Sequence, residues 1–228
     1  MKYPSLFIIL MFIFSCGKDK VVQLPEIDNA TISEVNDISA AYIFYNENEP
    51  DSVELNRNNL ISTTNWLFNV DKRLTLKQVV PQIKLLQEKR RNAQLHKNEN
   101  ARNYFTCNDT SKKTLGFIDF TDVVYVDASL ETDAQKVSEM EDTTAINTIG
   151  LNLSDIVSII TPNQEPFVTT INSNALIDSL KKMDTTKSSV ILNFNKSLSF
   201  QDYITYKSML SKNDFKHLEI SHEEFLYN

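Results

Sequence analysis

The chain has 228 residues, 41% hydrophobic and 23% charged, and a formal net charge of −7. That balance suits a folded protein of one or two domains. It argues against a nucleic-acid binder, which shows a basic face, and against broad adhesion to anionic lipid. With three glycines in all there is no Gly-rich phosphate loop.

Lys2 precedes an apolar run, Tyr3 to Phe14, and then Ser15-Cys16-Gly17. A charged start, an apolar run and small residues predict a signal peptide over 1–15. The run is shorter than the roughly 20 apolar residues of a transmembrane helix. Ile13-Phe14-Ser15-Cys16 resembles the lipobox of bacterial lipoproteins. That resemblance implies lipidation of Cys16, whose acyl chains would bury about 0.8 kcal/mol per CH2 in a membrane. An ordinary cleaved signal or a short anchor is the alternative. Residues 16–39, polar and acidic with Pro25, read as a tether holding the folded part off the membrane. Cys107 is then the remaining thiol, in the polar stretch Thr106-Cys107-Asn108-Asp109. It reads as an incidental free thiol in a loop, the sharper options being a nucleophile or an intermolecular disulfide.

Two internal matches organise the rest. Glu49 to Ile61 recurs as Glu165 to Ile177, keeping Glu-Pro, two Asn and Leu-Ile. Trp66 to Leu76 answers to Val190 to Phe200. Two matches in one order predict a duplicated module, at 40–127 and 154–228.

In the first copy Ala41 to Tyr45 and Ser52 to Leu55 read as a hairpin, and Trp66 to Val70 as a third strand. Thr75 and Gln78 form a capping box. Leu76, Val79, Val80, Ile83 and Leu86 make one helical stripe. Pro81 predicts a local kink, and Lys89-Arg90-Arg91 a solvated helix end that suits the macrodipole. Leu115 to Val126 is the expected closing strand region. Residues 128–153 are expected to be an acidic linker. The second copy starts with Ile156 to Ile160 and returns through Val168 to Ile171. A helix capped by Asn172 or Asn174 follows, with Leu176, Ile177, Leu180 and Met183 on one face. Val190 to Phe194 is the next strand. Ser199 to Asp202 caps a second helix striped by Phe200, Tyr203, Ile204, Lys207 and Leu210, and Lys216 to Ile220 closes the module. Together these predict an α+β protein of two small mixed sheets with helices on one face.

Few residues suggest chemistry. His222-Glu223-Glu224 lacks the second His of the H-E-x-x-H zinc motif, and His96 and His217 have no partner spacing. No Ser/His/Asp order or paired carboxylate setting stands out, so no enzyme, metal or cofactor is expected.

Each copy, read as hairpin, strand, capped helix and strand, resembles the periplasmic domain of the ExbD/TolR family of biopolymer-transport proteins. The resembling residues are Leu67 to Leu76 in copy one, with Val190 to Phe200, Tyr203 to Leu210 and Leu218-Glu219-Ile220 in copy two. Asp71-Lys72 matches the family's acidic-basic step after its strand, and copy two departs there with Asn195-Lys196. Val22-Gln23-Leu24-Pro25 is similar to the element that follows the family's membrane helix. Together with the lipobox-like start at Cys16, the resemblance implies a lipid-anchored, periplasm-facing protein of a Gram-negative cell envelope. As partners it implies TonB- or Tol-type machinery, another copy of the chain, or peptidoglycan. Family members carry a membrane Asp for proton flow, whereas Tyr3 to Phe14 holds no acid. The alternative is a motor subunit using that run as its membrane helix. The family's domains can pair, and a tandem copy could supply such a pair within one chain.

Overall fold

The computed structural model describes residues 20–92, 98–127, 145–153, 155–161 and 165–228. The expected leader at 1–15, Cys16, His96 and most of the expected linker lie outside them. The described chain is α+β, with two mixed six-stranded sheets.

The first sheet holds β1 (Glu26–Ile27), β2 (Ile38–Tyr45), β3 (Val53–Asn56), β4 (Asn65–Val70), β5 (Asn103–Asp109) and β6 (Thr114–Asp119). Its order is β1-β5-β4-β2-β3, with β6 pairing β5. The second holds β7 (Val124–Asp127), β8 (Ala145–Leu151), β9 (Ile156–Ile160), β10 (Val168–Asn172), β11 (Ser188–Asn195) and β12 (Leu218–Tyr227), in the order β10-β9-β8-β11-β12-β7. Three α-helices, α1 (Leu76–Arg91), α2 (Leu176–Met183) and α3 (Phe200–Ser211), accompany them among the described residues.

The second internal match is a structural equivalence. β4 runs parallel to β2 and β11 runs parallel to β8, and each leads through a tight turn into a capped helix. The first match is not equivalent in sheet position. The β2–β3 hairpin of copy one has its counterpart in β8–β9, because β8 is the parallel neighbour of β11. Val168–Asn172, which the match would align with β3, instead forms an added outer strand, β10. The expected linker therefore contains a strand. Ile149 and Leu151 of β8 are fully buried, so pairing with β11 outweighs the acidic stretch that precedes it.

Two other boundaries shift. The expected closing region divides: β6 folds back on β5, while β7 crosses to the second sheet and pairs with β12. The expected tether is built into the fold from about Gln23 onward. Ile27 and Ala30 are buried, and Asp109 accepts backbone N–H bonds from Asn29 at 3.1 Å and Ala30 at 2.7 Å. Gly116 admits that segment closely, since a Cβ there would stand 2.5 Å from the Ala30 Cβ.

The helix stripes are buried as their spacing predicts: Leu76, Val79, Val80, Ile83 and Leu86 on α1, with Phe200, Tyr203, Ile204 and Leu210 on α3. α1 continues through Pro81. The missing N–H deprives the Lys77 carbonyl of its helical donor, on an exposed turn open to solvent. Arg90 is not a solvated helix end. Its guanidinium stacks 4.5 Å from the Trp66 ring and donates to the Arg102 carbonyl at 3.0 Å, tying α1 to β4 and the start of β5. Cys107 is a free thiol inside β5, fully buried, rather than a loop residue.

Candidate functional site

The two copies meet at the turns that precede α1 and α3. A helix start leaves its first N–H groups without intrahelical partners. Here each copy supplies the other's acceptors. Leu76 N–H donates to the Leu198 carbonyl at 2.9 Å, and Phe200 N–H donates to the Leu74 carbonyl at 2.6 Å. Lys77 N–H donates to the Lys196 carbonyl at 2.9 Å, and Gln201 N–H to the Lys72 carbonyl at 3.2 Å. Under the Trp66–Val190 equivalence these are two reciprocal pairs. The contact is the self-complementary kind that a two-fold dimer makes, realised within one chain.

All four positions read from the family step lie here. Asp71 and Asn195 play the same part: each side chain accepts the N–H two residues on, from Arg73 at 3.1 Å and Ser197 at 2.8 Å. This holds the turn whose carbonyls face the other copy. Asp71 is buried and also takes Arg73 Nη2 at 2.8 Å and Gln23 N–H at 3.2 Å. Burial alone raises its pKa. The Arg73 side chain and backbone and the Gln23 N–H together outweigh that and hold it below the ordinary carboxylate value. Lys72 pairs with Glu26 at 2.6 Å, and Lys196 with Asp127 at 3.0 Å. The acidic-basic step is thus a turn and a clamp.

Behind the turns the two sheets share one core. Phe105 of β5 stacks on Phe120 at 3.8 Å and meets Phe200 of α3 edge-on at 5.2 Å. Tyr203 of α3 contacts Phe105 at 6.1 Å and Phe194 of β11 at 5.0 Å. From Tyr203 a polar chain runs through this apolar surround. Its hydroxyl lies 3.0 Å from the Tyr125 hydroxyl and donates to Glu224 Oε2 at 2.8 Å. Lys207 Nζ donates to Glu224 Oε1. Glu224 is fully buried, and Lys207 is partly buried, its side chain 15% exposed. Burial, reinforced by the Glu224 charge, pushes both tyrosines well above their ordinary value. Lys207 reaches a cleft of about 310 Å³ that also takes in Arg102, Asp119, Asp122, Ser221 and His222. Arg102 bonds Asp119 and reaches Asp122 at 3.2 Å.

A second groove, about 460 Å³, runs along α1. Leu76, Val80, Pro81, Leu85 and Leu226 give it an apolar floor, and Lys77, Lys84, Lys196, Glu88 and Asp127 make its rim charged with both signs. Asp127 bridges Lys84 at 3.3 Å and Lys196 at 3.0 Å.

Of the histidines considered, His222 borders the cleft, while His217 serves through its backbone N–H, which donates to Asp184. Among the described residues no group of three His, Cys, Asp or Glu side chains could hold a metal ion. Sequence reasoning missed Glu224 as a buried charge. The signal available was one acid just before Phe225-Leu226 in a strand, with Lys207 interrupting the α3 stripe.

Fold and junction define a class: an α+β protein of two mixed six-stranded sheets joined through reciprocal helix caps and one core. Compared with protein-family models, curated proteins and solved structures, the chain matches none of them.

Proposed function

We propose that this chain is a non-catalytic binding component of a bacterial cell envelope, a lipid-anchored protein holding two ExbD/TolR-like modules as a fixed pair. Its partner on this reading is a protein of TonB- or Tol-type transport machinery. The observation that carries the reading is the reciprocal junction. The residues resembling the family step, Asp71, Lys72, Asn195 and Lys196, hold one copy to the other, so the chain carries its own internal pair. The cleft beside Lys207 and the sheet edges outside the junction are left to meet partners.

Two measurements test this. The intact mass of the N-terminal peptide from cells is expected to show a diacyl or triacyl Cys16. An uncleaved Met1 would overturn the lipoprotein reading in favour of a motor subunit anchored through Tyr3 to Phe14. Affinity purification of the full chain after cross-linking in cells is expected to recover an envelope transport protein, and recovery of none would overturn the binding role.

A further inference from the structure

Apart from the two-residue β1, the edge strands β3, β6, β7 and β10 are not alike. β3 carries Glu54, which Lys20 covers as an ion pair. β6 is capped by the incoming chain, Phe117 N–H donating to the Ile32 carbonyl at 2.9 Å. β7 ends at Asp127, held by Lys84 and Lys196, and Gln87 donates to the Val123 carbonyl at 3.0 Å. Charge, cover and bulges are the devices by which proteins keep sheet edges from pairing with other chains. Among the described residues β10 shows none of them. It reads Val168-Thr169-Thr170-Ile171-Asn172, without charge, Pro or Gly. Its five residues pair β9 in unbroken register, and among the described residues no strand covers its outer side. Four of its five residues are exposed. Its composition is strongly β-forming.

The surface around it is apolar too. Val168 is 52% exposed, its cross-strand partner Ile160 39%, Phe167 57% and Ile156 42%. β10 also has no counterpart in sheet position, since copy one ends its sheet at β3.

We propose that β10 docks antiparallel against β10 of a second copy of this chain, joining two six-stranded sheets edge to edge. The strand is suited to meet itself. A two-fold axis through Thr170 sets Val168 opposite Asn172 and Thr169 opposite Ile171. A charge on the axis would face its own image, and like charges directly opposite destabilise a sheet; β10 carries no charge at any position, so no register of the pair opposes like charges within it. On the outer face the pairing builds two rows, each running Ile160, Val168, then the second copy's Asn172 and Ile156. The backbone supplies the ladder, and the apolar rows supply burial. The net charge of −7 on each copy opposes the approach. Added salt screens that repulsion over the roughly 10 Å Debye length of 0.1 M solution and strengthens association.

This dimer uses a surface remote in sequence from the reciprocal junction and does not depend on the proposed envelope partner. The test is carried out on the full chain. Residues directly opposite across an antiparallel pair have Cα atoms about 4.5–5.5 Å apart, within the reach of a disulfide, about 4.4–6.8 Å. Thr170→Cys, mildly oxidised in intact cells, is expected to give a band of twice the chain mass that wild type and Thr114→Cys at the β6 edge do not. Mass spectrometry is expected to find this chain alone in the band. Sedimentation of Thr170→Lys is expected to show association weakened roughly tenfold or more, with unchanged circular dichroism. A monomer at every concentration, a dimer indifferent to Thr170→Lys, or a Thr170→Cys adduct to a different protein would each overturn the proposal.

Discussion

One position separates the two modules more sharply than any other. In copy one Phe68 of β4 stands opposite Phe105 of β5, and in copy two its counterpart Leu192 stands opposite Glu224. The first site is closed by stacked and edge-on rings. The second holds a carboxylate with a tyrosine and a lysine as donors. Both fill a fully buried place in a parallel strand pair. The backbone therefore accepts either solution, provided that a buried charge keeps its partners.

The largest effect should come from the ring. Phe105→Ala removes a side chain that links β5, Phe120 and α3, and should cost about 4 kcal/mol in urea unfolding. Lys207→Met leaves Glu224 with Tyr203 alone and should cost about 3 kcal/mol, the usual result of breaking a buried pair. The double variant Glu224→Leu with Lys207→Met converts copy two to the apolar solution of copy one. It should be no less stable than wild type, because desolvating two charges offsets much of their attraction. A double variant as unstable as Lys207→Met would break the comparison, showing that copy two needs the polar chain itself. Ser199→Ala should cost about 1 kcal/mol, since Ser199 Oγ accepts the Asp202 N–H at 3.1 Å.

Acid titration compares the two turns. Asp71 has its pKa held low in the folded state. Its contribution is therefore present above the unfolded value near 4 and is lost as pH falls through the folded value. Asn195 does not titrate. Asp71→Asn should flatten the stability profile below about pH 4, read as the slope of urea midpoint against pH. The smallest effect concerns Cys107, whose thiol burial pushes up to about 12. A maleimide should leave Cys107 unlabelled in the native protein at neutral pH and label it in urea.

Local signals were legible where chemistry is local. The turns before α1 and α3 could be read from Thr75-Gln78 and Ser199-Asp202, and the buried faces from helical spacing. Gln78 Oε1 does accept the Thr75 N–H at 2.8 Å. Features fixed by a distant partner were not legible. β8 is a strand because β11 lies beside it, and 128–153 carries enough acid to read as a spacer. Residues 23–32 look like a tether until Asp109 and Gln201 are known to bond them. Arg90 looks solvated until Trp66 is placed beneath it. At the site, Asp71, Lys72, Asn195 and Lys196 were found by motif, but their joint duty at the junction needs both copies in place. Glu224 was hidden because nothing in its own strand names Tyr203 or Lys207.

The crossing of β7 has a consequence for how the molecule comes into being. Val124–Asp127 leaves the first half of the chain, yet its ladder partner is Glu223–Leu226, the far strand of the second half. A chain made or exported from its N-terminus presents β7 long before that partner emerges. The first half therefore holds an open strand in waiting, and the seam between the halves closes only when the last strand arrives. Whatever receives the chain in the interval, a chaperone or a protease, meets a half-built sheet.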